Sequence, residues 1–214
     1  MSAARRAPRR PTRLVPRRGR SRRRTALTGA GAALAALVLA ACGSGGVSGG
    51  SGNTNFVAGK DGVDTAGKGH RQAAPDLSGK TIDGKRLDVA DYRGKVVVLN
   101  VWGSWCSPCR AEADNFAKVA KESAAKGVQF VGINTRDTST TPAVEFEKAH
   151  GITYPSLYDP TGRLLLRFKK GTLNPQAIPS TLILDREGRI AARTLQPLSE
   201  DKLHEMLDPV VAEK

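Results

Sequence analysis

Cysteine and histidine are scarce in this sequence: its 214 residues hold three of each. A structural zinc site takes four ligands at fitting spacing. His70, His150 and His204 are scattered, and no second cysteine pair is present, so no metal or other cofactor is expected. Acidic residues are missing altogether before Asp61, while eleven arginines crowd residues 1–24. The formal net charge of +14 belongs to that end, since from Cys42 onward 23 basic residues meet 20 acidic ones. An Arg-rich arm by itself suits nucleic acid. Here it runs straight into an apolar stretch, which is the order of an export signal and argues against a nucleic-acid partner. That stretch, Thr25–Ala41, has 17 residues rich in Ala, Gly and Leu. It falls short of the ~20 apolar residues needed to span a bilayer. No internal repeat is visible.

Leu39-Ala40-Ala41-Cys42-Gly43 resembles a bacterial lipobox, in which the cysteine is lipidated and becomes the new N-terminus. The alternative is an ordinary signal peptide or signal anchor followed by an unrelated cysteine. Leu at −3, small residues at −2 and −1, and Gly-Ser-Gly-Gly behind favour the lipobox. Ser21-Arg22-Arg23 hints at twin-arginine export, although Thr25-Ala26 replaces the usual apolar pair. Residues 1–41 thus read as a signal peptide, with Cys42 anchoring the chain outside the cell membrane. Gly43 to about Lys60 is Gly/Ser-rich and cannot bury a core. As a flexible coil it would span roughly 25 Å. The expected boundaries are a lipidated Cys42 and tether over 42–69, and one domain over 70–214.

With Cys42 assigned to lipid, two cysteines remain, in Trp105-Cys106-Ser107-Pro108-Cys109. The continuous apolar run Val96–Trp102 reads as a strand buried on both faces. Arg110–Lys118 is helix-forming, so the motif stands where a strand hands over to a helix. Cys106 would open that helix, where free N–H groups and the positive dipole end favour a thiolate. Cys109, three residues on, returns to the same face. A thiolate with a resolving thiol beside it is equipment for thiol–disulfide exchange.

The other elements follow from pattern. A helix is expected from Cys106 to about Lys126, stopped by Gly127, then a strand over Val128–Asn134, making a βαβ unit. Thr141-Pro142 starts a helix that ends near His150. Thr181–Asp185 and Arg189–Arg193 read as an antiparallel hairpin around Arg186-Glu187-Gly188. Ser199 caps a last helix running to about Val211, and Gly79–Gly84 looks like an earlier hairpin turn. Leu164–Phe168 suits either a strand or a short helix.

A strand ending in Trp-Cys-x-x-Cys, a second parallel strand, and Ile178-Pro179-Ser180-Thr181 before a hairpin resemble the thioredoxin superfamily. More closely, the chain resembles the TlpA/ResA-type membrane-tethered thiol–disulfide oxidoreductases. The closer match rests on Gly94–Trp102, Trp105–Cys109, Arg110-Ala111-Glu112, Leu157–Gly162, Ile178–Thr181 and Leu184–Gly188. Together these span roughly residues 74–208. The resemblance implies an α/β thioredoxin-like fold: a twisted mixed sheet flanked by helices, an N-terminal β-hairpin, and an insertion around 137–160. It also settles Leu164–Phe168 as helix.

Carried over residue by residue, the resemblance makes Cys106 the attacking, partly exposed sulfur and Cys109 the buried resolving one. Pro179 matches the superfamily's cis-proline, which leaves the Ile178 backbone free to pair with an extended substrate segment. Glu112, one helical turn after Cys109, matches a glutamate that moves protons and selects substrates; otherwise it is a solvated helix-face acid. Asn100 stands six residues before Cys106, where thioredoxins carry a buried aspartate. An amide cannot exchange protons, which makes Glu112 the nearest base in sequence. Relatives often have a helix-kinking proline two residues after this glutamate; Asp114 stands there instead. Trp105 reads as part of the apolar rim of Cys106, or else as core.

The implied activity is disulfide reduction in exported proteins, including the Cys-x-x-Cys-His site of apocytochrome c, fed by a membrane thiol relay. Ser107-Pro108 offers no cation to stabilise a thiolate, so a reducing potential is expected. Three rivals are an oxidase or isomerase, a peroxiredoxin-like peroxidase, and a non-enzymatic copper carrier. The last normally has three residues between its cysteines, where this chain has two.

Overall fold

The computed structural model describes residues 54–213. Cys42 and the signal over 1–41 lie outside these residues. Two short strands, β1 (Val57–Ala58) and β2 (Val63–Thr65), precede a hairpin of β3 (Ser78–Lys80) and β4 (Arg86–Asp88). Then come β5 (Val96–Trp102), α1 (Ser107–Ser123), β6 (Val128–Thr135), α2 (Thr141–Ala149) and β7 (Ser156–Asp159). The chain ends with β8 (Ser180–Leu184), β9 (Ile190–Thr194) and α3 (Glu200–Ala212). Seven strands form one sheet in the order β1-β2-β9-β8-β5-β6-β7, with β3 and β4 apart from it.

β5 lies at the middle, parallel to β6 and antiparallel to β8. All seven of its residues are buried, as a continuous apolar run requires. Alternation sorts its side chains. Val97, Leu99 and Val101 join a core with Leu77, Leu87 and Val89 of the hairpin region and with Leu164, Leu165 and Phe168. Val96 and Val98 face Phe116 and Val119 of α1 and Leu203, Met206 and Leu207 of α3. Asn100 shares that second face by the same alternation, so the one polar residue of β5 points toward α1.

α1 ends as the sequence indicates: a single 3-10 turn (Ala124–Lys126) gives way to Gly127 at φ 77°, a left-handed position suited to glycine. α2 begins at Thr141 with Pro142 in its first turn, and Thr140 caps it without a side-chain bond. Leu165–Arg167 is a short 3-10 helix, in line with the helical reading.

Two parts of the sheet depart from the sequence reading. The tether expected over 42–69 overlaps structured chain, because β1 pairs with β2, and β2 with β9. These strands are held by backbone bonds and by the Asp64–Arg193 ion pair at 2.8 Å, with Val63 of β2 packed against the core; both residues of β1 are exposed. Hydrophobic pattern carries no sign of such an edge. The insertion around 137–160 contains α2, as expected, and also β7, which adds in parallel to β6. β7 is only four residues long, too short to stand out by periodicity.

Candidate active site

The carboxyl ends of β5, β6 and β7 lie at one end of the sheet: Trp102 is level with Asn134, and Thr135 with Asp159. β8 starts there too, with Ser180 opposite Val101. Such an end is where open α/β sheets carry their sites. Gly103 permits a tight exit from β5, since a Cβ there would stand 2.6 Å from the Trp105 indole nitrogen and 3.0 Å from the Thr135 carbonyl oxygen.

Cys106 is the N-cap of α1, with extended backbone (φ −85°, ψ 108°) and its sulfur accepting from the Cys109 N–H at 3.2 Å. A sulfur in this place stands against the free donors of the helix start. Pro108 fits the first turn, where no N–H is needed. The two sulfurs are joined, with a Cα–Cα separation of 5.3 Å. Cys106 is 3 % exposed and Cys109 2 %, so the expectation of a partly exposed Cys106 does not hold for the disulfide. The Ile178 carbonyl oxygen stands 3.8 Å from the Cys106 sulfur, and Ile178 also packs against the cluster holding both cysteines, Trp102 and Phe146. The Ile178–Pro179 bond is cis. The structure thus brings residues 178 and 179 to the cysteines from 72 positions away.

Glu112 is 2 % exposed, which rules out the solvated helix-face reading. Its carboxylate accepts from the Asn100 amide at 3.0 Å and from the Leu198 N–H at 2.9 Å. Burial raises its pKa to about 7, with the Leu198 and Asn100 hydrogen bonds opposing the rise. Near neutral pH this carboxyl can both give and take a proton. Asp114 pairs with His150 Nδ1 at 2.7 Å on the outer side of α1.

Trp105 is 51 % exposed, so it belongs to the rim of the site and not to the core. Its indole N–H donates to the Thr135 carbonyl at 3.4 Å, and the Arg136 guanidinium lies 4.6 Å from its ring centroid. Sequence reasoning missed Arg136 and its neighbour Asp137. Their only signal was position, immediately after the second central strand. Asp137 is buried and ties the site together, accepting from Ser104 N–H (2.9 Å), Ser104 Oγ (2.5 Å) and Asn134 Nδ2 (2.6 Å). Asp137→Ala strands these donors, each costing about 1–3 kcal/mol when buried. Urea unfolding should therefore show a loss of about 3 kcal/mol; a loss under about 0.5 kcal/mol would mean the turn does not depend on it.

Among the described residues, one group could in principle hold a metal: Glu122, Glu200 and His204, with ligand atoms within 4.8 Å of one another. The Lys118 ammonium already sits 2.7 Å from Glu200, so the group is an exposed ion-pair network. It is separate from the cysteines.

A central mixed sheet with three α-helices, a joined Cys-x-x-Cys at a helix start and a cis-proline against it define a thiol–disulfide oxidoreductase of the thioredoxin superfamily. Residues 70–193 match the AhpC/TSA family, and the chain belongs to it. The thioredoxin-like protein YneN of Bacillus subtilis is 33 % identical over 138 residues, covering 64 % of this chain and 78 % of the relative. The thiol-disulfide oxidoreductase ResA of the same organism is 28 % identical over 135 residues, covering 64 % and 72 %. Among solved structures, a secreted thiol-disulfide isomerase from Corynebacterium glutamicum is 33 % identical with a TM-score of 0.66, covering 72 % of this chain and 94 % of that one. A DsbF homologue from Corynebacterium diphtheriae is 34 % identical with a TM-score of 0.65, covering 71 % and 94 %. No helix among the described residues is long and apolar enough to cross a membrane.

Proposed function

We propose that Cys106 and Cys109 are the redox pair of an extracytoplasmic reductase, anchored by lipid at Cys42, that reduces disulfides in exported proteins. The observation carrying this reading is the pair itself: two joined sulfurs at the start of α1, against Ile178 and one turn from a buried carboxyl with a pKa of about 7. In the reduced protein, Cys106 thiolate attacks a substrate disulfide, forming a mixed disulfide and releasing one substrate thiol. Cys109 then loses its proton to Glu112 and attacks the Cys106 sulfur. The second substrate thiol leaves and Cys106–Cys109 is oxidised, two electrons having passed to the substrate. Ile178 and Trp105 contact the incoming segment, with Pro179 setting the Ile178 backbone toward it. A membrane thiol relay returns the electrons. The Cys-x-x-Cys-His site of apocytochrome c is one substrate this reading includes. A secreted structural relative and the export-type N-terminus support an outer location.

Trapping tests the roles. In the bacterium that makes it, full-length Cys109→Ser should accumulate mixed disulfides with its substrates, while Cys106→Ser should accumulate none through the motif. The same partners recovered with both variants would contradict the assignment. A redox titration of the purified protein gives the direction of electron flow, with a potential near roughly −270 mV expected. A value near roughly −120 mV would make it an oxidase or isomerase. Rapid peroxide consumption without disulfide turnover would make it a peroxidase.

A further inference from the structure

The end of the sheet that carries the cysteines is lopsided in charge. Four segments leave it: 103–111, 136–140, 160–163 and 174–179. They hold three arginines, Arg110, Arg136 and Arg163, and a single acid, Asp137. That acid is buried, and both its oxygens are taken by Ser104 and Asn134. The Asp159 carboxylate beside this end is likewise buried and capped by the Arg163 and Leu164 N–H groups. The outward charge here is positive.

Arg136 differs from the other two. Its guanidinium lies over the ring of Trp105, the residue next to Cys106, at 4.6 Å from the ring centroid. Two of its nitrogens, Nε and Nη2, are covered yet have no hydrogen-bond partner. A guanidinium brings five donors in a planar fork, and covered donors left unpaired are rare without a purpose. The backbone agrees, because Arg136 sits at φ 60°, a left-handed position that ordinary side chains seldom take and that gathers at functional sites. By contrast Arg110 is already engaged with the Ser104 carbonyl at 2.8 Å and with the Phe146 ring.

We infer that Arg136, mounted on Trp105, selects substrates carrying an Asp or Glu side chain beside the cysteine that Cys106 attacks. This rests on the disulfide-exchange reading above and names its substrate class. A carboxylate arriving next to the substrate sulfur meets the half-buried guanidinium beside Trp105 and can pair with it through a charge-assisted hydrogen bond. Arg163, exposed at the same end, adds to the attraction at longer range.

The test uses three disulfide peptides, identical except for Glu, Gln or Lys flanking the cysteines. kcat/KM is measured with the full-length protein at low and high salt. Expected is the order Glu, Gln, Lys, with about a tenfold span at low salt that narrows to about twofold at high salt. In Arg136→Gln the Glu-to-Lys span should collapse to about twofold at low salt. In Arg136→Lys, which keeps the charge and loses the fork, it should be intermediate. Equal rates on the three peptides with the unaltered protein overturn the inference without needing any variant. So does an Arg136→Gln effect that scales all three rates alike, since that would mean action on the thiolate. No turnover of any peptide overturns the exchange reading itself, and is told apart from these outcomes on that basis.

Discussion

Glu112→Gln is expected to make the protein more stable above neutral pH and slower in catalysis, from one and the same cause. A carboxyl with a folded pKa of about 7, against an ordinary 4.5, holds its proton more tightly in the folded state. The stability this lends is fully present below about pH 4.5, and it is lost as pH rises through about 7. The span of the shift corresponds to about 3 kcal/mol. Glutamine has nothing to titrate and keeps both bonds. Its oxygen accepts from the Leu198 N–H, and its amino group donates to Asn100 once that amide turns over. The stability difference between variant and unaltered protein should therefore be near zero at pH 4 and rise to about 3 kcal/mol at pH 8. Urea unfolding across pH measures it, and a difference that does not change with pH would refute the buried, titrating carboxyl. On the proposed role, kcat/KM should fall about 100-fold, and the inflection near pH 7 in the rate profile should vanish.

Asn100→Asp should do the opposite. It puts a second carboxyl about 3 Å from the first, in a place where both residues are buried. Two such groups cannot both ionise, so the pair retains a proton well above pH 7 and titrates as a unit. Retaining that proton at pH 8, where the unfolded chain has lost it, should cost about 3–5 kcal/mol, most of it recovered at pH 5. The double variant Asn100→Asp, Glu112→Gln returns to one carboxyl, moved from helix to strand, and should recover most of the stability at pH 8. Wild-type stability of the single variant at that pH would show that the two side chains are not neighbours. Thioredoxins carry an aspartate at the position of Asn100. In this chain the ionisable group has moved across to α1, and the amide stays behind as its hydrogen-bond donor.

Much of the site is legible in the sequence because its central feature is local. The spacing of Cys106 and Cys109, the strand before them and the helix after them lie in one continuous stretch, Val96–Ser123, and each follows from short-range periodicity. Pro179 was legible only through resemblance, since nothing in Ile178-Pro179 itself says which part of the chain it faces. Glu112 lay between the two cases. Its spacing from Cys109 was visible, but not the burial that makes it useful. Arg136 and Asp137 sit directly after a correctly read strand and still went unnoticed, because an Arg-Asp pair in a loop looks like solvated charge until Trp105 and Ser104 are brought against it. β1, β2 and β7 escaped for a different reason. They are only two to four residues long, too short to show a side-chain period.

The sequence by itself determined a pair of thiols at a strand–helix junction, and with them an exchange chemistry, because an i, i+3 spacing at a helix start needs no distant partner. The tertiary structure decided the conditions under which those thiols sit. Ile178 covers the Cys106 sulfur from 72 positions away, and the Leu198 N–H reaches Glu112 from 86. Burial and proton affinity depend on what packs around a group. That is settled only when distant parts of the chain close over it.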